Sequence, residues 1–414
     1  MAKVLIVGSG ARESALGVKF LASPQVERVF VAPGNPGMRL LGLEPVAIDV
    51  LAFAALADFA LANVDLTFVG PEVPLVAGIT DYFRSRGLTI FGVTKRVAQL
   101  EGSKEYAKEF MLRHNLPTAK ARMAENLGAA QVLLKALGTP IVIKVDGLAG
   151  GKGVTVALTQ DQAETALANI YLATPDAKVL LEECLTGQEA SVMALYSQKQ
   201  CVILPLSQDH KRRFNGDAGP NTGGMGAISP AGQFNQHQVA AARELMERTV
   251  AGLNVDGDPG NGVIYMGLMF TPNGPQILEY NMRFGDPETQ VLLPQVQNDF
   301  YALIMDLVTG HQPELQLDGR TYVDVVLTHP AYPASAHPSL PVVRPSATQL
   351  TRGAWLPAAV AVDADGELHS TGGRVVSVVA SGVDAYAARC LAYREVAELR
   401  GELAYREDIG VRAL

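Results

Sequence analysis

The sequence predicts an α/β fold that opens with a parallel βαβ sheet and continues into further mixed domains. Three observations carry this expectation. Short apolar runs alternate with helical patterns through the N-terminal quarter, and Gly- or Pro-rich turns follow those runs directly. The 414 residues also exceed what one ordinary hydrophobic core organises, so roughly two to four domains are expected.

Taken in order, residues 3–7 read as a buried strand and 11–21 as an amphipathic helix. Residues 29–32 form a second strand, 53–62 a helix, and 66–69 and 89–91 two further strands. In such a sheet ligands sit at the carboxyl ends of the strands, where the chain reads GSGARE, APGNPG and VGPEVP. From Ser103 the character changes: a charged helix over 103–113 runs into the break Asn115-Leu116-Pro117. A helix near 129–137, a strand over 141–144, a glycine-rich turn and strands over 154–157 and 179–183 follow. Residues 191–328 read as mixed strands and helices with a long polar loop over 208–226. The last region begins near Tyr332, with short strands at 358–362 and 375–379 and a helix over 385–399.

Hydrophobic residues make up 48% of the chain and charged residues 18%, a globular composition. The net charge of −8 argues against a general nucleic-acid or acidic-membrane binder, because a phosphate backbone rewards clustered Lys and Arg. Small phosphorylated ligands need only a local pocket of N–H groups and a few cations. Cys184, Cys201 and Cys390 are widely spaced and odd in number, which suits reduced thiols in a cytoplasmic protein rather than a disulfide framework or a zinc site. The apolar start is too short for a signal-peptide core, and residues 50–64 read as a packed helix rather than a membrane span.

Five stretches carry chemistry. GSGARE, from Gly8 to Glu13, is a strand-to-helix turn suited to an anion. Glu13 stands where a dinucleotide fingerprint has its third glycine, and no acidic residue ends the second strand, so a phosphate without a dinucleotide is the better reading. IKVDGLAGGKGV places Lys144 and Lys152 around flexible glycines able to cover a polyphosphate, although it is one residue short of a Walker A loop. LLEECLTGQE follows an apolar strand with Glu182, Glu183 and Glu189, which suits ribose or adenine. In ILEYNMRFGDPE, Glu279, Asn281 and Arg283 alternate and so share one face of a strand. A carboxylate and an amide oxygen suit magnesium, and Arg283 suits a carboxylate held bidentately. SQDHKRRFNGDAGPNTGGMG carries Asp209 and His210, the latter read as a surface histidine.

Together these stretches resemble the phosphoribosylamine–glycine ligase family of the ATP-grasp superfamily. The resemblance spans nearly the whole chain through GSGARE, APGNPG, VGPEVPLVAG, QLEGSKEYAK, IKVDGLAGGKGV, SQDHKR, GPNTGGMG, EYNMRFGDPETQ and TGGRVVSV, of which GPNTGGMG and NMRFGDPETQ are the most specific. It implies an N-terminal domain over 1–102, ATP-grasp parts over 103–190 and 191–328 with a mobile lid at about 117–188, and a small mixed C-terminal domain over 329–414. It implies ATP held by Lys104, Lys144, Gly147, Gly150, Gly151, Lys152, Gly153, Glu182, Glu183, Leu185 and Glu189, and Mg2+ or Mn2+ by Glu279 and Asn281. Glycine and the amine would meet Arg283, Gly285, Asp286, Glu288, Asp209 and the loop of Pro220, Asn221, Thr222 and Gly223. Gly8, Gly10, Arg12, Glu13, Asn35 and Glu72 would receive the ribose phosphate of phosphoribosylamine. Arg283, Asp209 and Lys152 are the expected catalytic groups, in a two-step ligation through glycyl phosphate by a cytoplasmic monomer. The alternatives are another ATP-grasp carboxylate–amine ligase, a nicotinamide dehydrogenase built on the first sheet, and a nucleotide sensor without turnover. The chain departs from the family's GGREH pattern at Ala11 and Ser14, has Gly150 where alanine is common, and carries Leu356-Pro357-Ala358-Ala359-Val360 in place of an FHAGT-like stretch.

Overall fold

The computed structural model of the chain describes residues 1–148, 153–198, 200–258, 260–334, 338–351 and 355–414. The N-terminal sheet is parallel, with five strands in the order Glu44–Pro45, Val26–Pro33, Ala2–Gly8, Leu66–Val69 and Ile90–Phe91. Residues 4–7 of its central strand are all apolar because helices cover both faces: Leu5 and Val7 pack with Leu56 and Ala57, and Val4 and Ile6 with Leu16 and Phe20. The helix Ala11–Leu21 starts at Gly10, whose N–H donates to Glu13 Oε2 at 2.6 Å, so Glu13 folds back as a cap.

Four antiparallel strands, in the order Ala121–Ala124, Val179–Glu183, Ile141–Val145 and Val154–Ala157, form a small sheet under the helices Leu127–Leu137 and Gln160–Ala173. A second antiparallel sheet orders Gln200–Ile203, Gln188–Ser197, Asn261–Thr271 and Gly274–Asn281, and the helix Gln236–Val255 packs on it. Its core is continuous with that of the N-terminal sheet: Val93, Leu100 and Phe110 belong to the same buried cluster as Ile264, Ile277 and Met282. A third sheet runs Gln208–Asp209, Gly226–Ser229, Thr321–Thr328, Arg374–Gly382 and Leu356–Pro357, and the helix Ala385–Leu399 covers it. It draws its strands from both sides of residue 329.

The expected polar loop over 208–226 is instead mostly paired backbone, with Arg212–Phe214 against Ala218–Asn221 as a hairpin beside Gln208–Asp209. His210 is a second correction, being 5% exposed. Its Nε2 accepts the Gly410 N–H at 3.1 Å, and its Nδ1 lies 3.3 Å from Gly226 O, so the imidazole ties the hairpin to the C-terminus. The three cysteines are unpaired. Among the described residues no helix is long and apolar enough to cross a membrane.

Burial, with help from Arg406, lowers the His210 pKa from its ordinary 6.5 to about 4. Between those values the unfolded chain binds a proton that the folded chain refuses, so stability rises with pH across that window and is lost as pH falls through it. Urea unfolding of the unmodified chain and of His210→Gln between pH 4 and 7 tests this. The unmodified chain should lose up to about tenfold more of its unfolding equilibrium per pH unit than the variant; parallel curves would refute it.

Candidate active site

Glu279 and Asn281 lie two apart on the edge strand Gly274–Asn281 and so face the same cleft. Arg283, just past the strand, joins them, its Nη2 donating to Asn281 Oδ1 at 3.2 Å. Two carboxylates from the N-terminal part of the chain hold its guanidinium: Glu101 Oε1 at 2.8 Å and Glu72 Oε2 at 3.3 Å. Glu101 also accepts the Met282 N–H at 2.7 Å, which fixes where the strand ends. Burial raises the Glu101 carboxyl even beside Arg283, whereas for Glu72 burial is outweighed by Arg283 and Arg12, which hold it low.

Glu279 is ringed by cations. Burial alone would raise its carboxyl, but Lys211, Lys144, Lys104 and Arg283 together hold it below the ordinary range. Lys144, on the strand Ile141–Val145, donates to Leu278 O at 3.0 Å and pairs with Glu182 Oε2 at 2.7 Å. The other Glu182 oxygen pairs with Lys108 at 2.9 Å, so the carboxylate expected at adenine is engaged by two lysines. Lys104 donates to Gly147 O at 2.8 Å, and burial lowers its pKa against the pull of Glu279 and Asp146. Gly150, Gly151 and Lys152 lie outside the described residues. On either side of them, Gly147 has φ +97° and Gly153 O accepts the Val145 N–H at 2.9 Å, extending the pairing of the two strands. Glu183 and Glu189 are exposed and Leu185 is half-buried, and Glu189 pairs with Lys211 at 3.6 Å.

Further along, Glu288 is buried at the start of the helix Glu288–Leu292 and accepts from Ser191 Oγ at 3.1 Å. Ser191 in turn lies 2.9 Å from the Tyr265 hydroxyl. Asp209 Oδ1 is buried with no hydrogen-bond partner, and burial together with Glu288 pushes this carboxyl well above the ordinary range. A Cβ on Gly285 would collide with Glu288, and one on Gly224, at φ +112°, would collide with Pro287. Thr222 Oγ1 donates to Lys211 O at 2.8 Å and accepts the Gly224 N–H, while Gly223 N–H donates to the Tyr332 hydroxyl at 2.8 Å. Pro220 is exposed and Asn221 half-exposed on the outer hairpin.

At the first turn, Glu13 is only 2% exposed and points inward, where Gly8 and Gly70 leave room that a Cβ would fill. Arg12 also turns inward, its Nε 2.6 Å from Glu13 Oε1 and its Nη1 donating to Phe284 O at 3.1 Å. What the turn offers outward is backbone: Ser9 and Gly10 line a cavity of about 280 Å³ together with Ala358, Ala359, Asp286 and Arg374. Asn35 donates to Ser9 O at 2.8 Å and keeps its Oδ1 buried and unpartnered. Arg374, of the TGGRVVSV stretch, was given no role in the sequence reading. It donates to Gly223 O at 2.6 Å and to Asp286 O at 2.7 Å, and its charge lies 3.3 Å from Asp286 Oδ1. Glu101 and Lys108 were likewise missed, since only the fold brings them to Arg283 and Glu182.

The chain thus sets a cation-lined face around Glu279 beside a cavity under a backbone turn, with Asp286 lining the cavity three residues after Arg283. Among the described residues no group of three or more His, Cys, Asp or Glu side chains forms a metal cage. Glu279, held ionised, and the Asn281 oxygen still fit magnesium, which takes few protein ligands and completes its shell with phosphate and water.

These are the parts of an ATP-grasp ligase. Models of the phosphoribosylglycinamide synthetase N domain, ATP-grasp (A) domain and C domain match residues 2–101, 102–289 and 322–412. The chain belongs to the phosphoribosylglycinamide synthetase family. It is 42% identical over 416 residues to the phosphoribosylamine–glycine ligase of Lactococcus lactis, covering 100% of both chains. It is 43% identical over 422 residues to that of Pseudomonas aeruginosa, covering 99% of this chain and 98% of the relative. The crystal structure of the ligase from Thermotoga maritima superposes with a TM-score of 0.83 at 33% identity, covering 98% of this chain and 100% of that one.

Glu182→Ala should leave Lys108 and Lys144 buried without their shared carboxylate, at 10% and 7% side-chain exposure. Equilibrium urea unfolding is expected to show a loss of about 3 kcal/mol. A change under about 0.5 kcal/mol, the size of a surface effect, would mean that the pair is solvated.

Proposed function

We propose that the enzyme joins glycine to 5-phosphoribosylamine with ATP, giving glycinamide ribonucleotide, ADP and phosphate, through glycyl phosphate. The observation that carries this reading is the ring of Lys104, Lys144, Lys211 and Arg283 around Glu279, set against the cavity beneath the first turn. A glycine carboxylate oxygen attacks the γ-phosphorus and ADP departs; the amine nitrogen then attacks the glycyl carbonyl and phosphate departs. Phosphoryl transfer of this kind depends on position and on charge neutralisation, which fixed cations supply without reorganising.

Lys104 and Lys144 face the phosphates, Lys152 is assigned the same role from the sequence alone, and a Mg2+ or Mn2+ ion held by Glu279 and Asn281 would neutralise charge on them. Glu182 positions Lys144, so adenine is read by the backbone that follows, with Glu189 at the ribose. Arg283 orients the glycine carboxylate. Asp209 takes the proton that the attacking amine must lose, and burial with Glu288 beside it raises its carboxyl and so makes it a stronger base. Arg374 and the Ser9–Gly10 backbone at the helix N-terminus receive the ribose phosphate. Three unpaired thiols support a cytoplasmic setting.

Glycine labelled with 18O in its carboxylate should deliver one labelled oxygen to the released phosphate, read by mass spectrometry. Unlabelled phosphate would remove glycyl phosphate from the reaction, and turnover indifferent to glycine would remove the substrate assignment. Arg283→Lys keeps the charge but loses the planar fork, and should lower kcat/KM for glycine by about 100-fold in steady-state assays. A change under about threefold would place glycine elsewhere.

A further inference from the structure

Two of the departures from the family pattern, Ser14 and the stretch 356–360, touch each other. Ser14 is fully buried on the helix Ala11–Leu21, and its Oγ donates to Pro357 O at 2.7 Å. The same carbonyl accepts Asn35 Nδ2 at 3.3 Å, so both of its lone pairs are taken by the N-terminal domain. The contact is packed as well as bonded. Leu356 shares a small buried cluster with Ala11 and Ala15, and a Cβ on Gly37 would collide with Pro357.

Leu356–Pro357 is the edge strand of the third sheet, and the two residues after it, Ala358 and Ala359, form the cavity wall opposite Ser9 and Gly10. We infer that Ser14 is a positioning residue: with Asn35 it pins the Pro357 carbonyl and thereby sets how closely Ala358 and Ala359 approach the first turn across the amine-substrate cavity. Ser14 touches no substrate, and its effect is confined to the substrate held in that cavity. ATP and glycine are bound along the Glu279–Arg283 face, which the contact does not reach. The inference rests on the ligase reading for the identity of the cavity's ligand, but the contact itself does not depend on that reading.

The test combines kinetics with amide hydrogen exchange on the full chain. Ser14→Ala should raise KM for phosphoribosylamine about fivefold or more, while kcat and the KM values for ATP and glycine stay within about twofold. Ser14→Thr, which keeps a hydroxyl, should bring KM back toward that of the unmodified chain. The Ala358 amide, bonded to Val375 O at 2.9 Å, should exchange about tenfold faster in Ser14→Ala, with the helix Ala11–Leu21 unaffected. Equal exchange at Ala358 in Ser14→Ala and the unmodified chain would overturn the inference, as would a parallel rise in all three KM values. Absence of phosphoribosylamine turnover in the unmodified chain would fell the ligase reading instead, and the exchange result would still decide whether the contact holds the wall.

Discussion

Arg283 stands between Glu72 and Glu101, carboxylates that arrive from the N-terminal sheet and from the connection leaving it. An unpaired guanidinium could not remain in so enclosed a place, because removing a charge from water costs several kcal/mol that only close partners offset. The triad therefore decides where two parts of the chain meet. Through Asn281 and the Met282 N–H it also fixes the end of the strand that presents Glu279. A second triad, Lys108–Glu182–Lys144, does the same for the small sheet, and Lys144 reaches back to the Leu278 carbonyl. Position and charge are thus set together before any ligand enters, which is what electrostatic catalysis of phosphoryl transfer requires.

The buried carboxylates are sorted by their neighbours. Asp286 is held low because Arg374 and Arg12 outweigh its burial, and Glu279 because four cations do. Asp209, with Glu288 beside it, is pushed the other way. Ionised acceptors and a carboxylate of raised basicity thus lie near the same Arg374, separated by environment rather than by residue type.

The N-terminal sheet was legible because its strands are short apolar runs followed by glycine or proline turns, a local signal. So was the Glu279–Asn281–Arg283 face, which follows from period-two geometry. The paired backbone within 208–226 was not, since strands with polar residues on both faces carry no apolar alternation. His210 gave no sign of burial from its charged neighbours Asp209 and Lys211. The sequence shows Glu13 only as a departure from a dinucleotide fingerprint, whereas its buried role depends on Gly70, a residue on a different strand turn. Glu101, Lys108 and Arg374 act through partners far away in the chain, and no window of sequence contains such a pair.

The third sheet takes its strands from before and after residue 329, with Thr321–Thr328 hydrogen-bonded to both Gly226–Ser229 and Arg374–Gly382. This limits how such enzymes can be recombined. Grafting the C-terminal segment of one relative onto another would pair strands that had diverged separately, so viable chimaeras must inherit Gly226–Ser229, Thr321–Thr328 and Arg374–Gly382 from one parent. The tail is not a cassette, and its sequence is bound to drift together with that of the hairpin it completes.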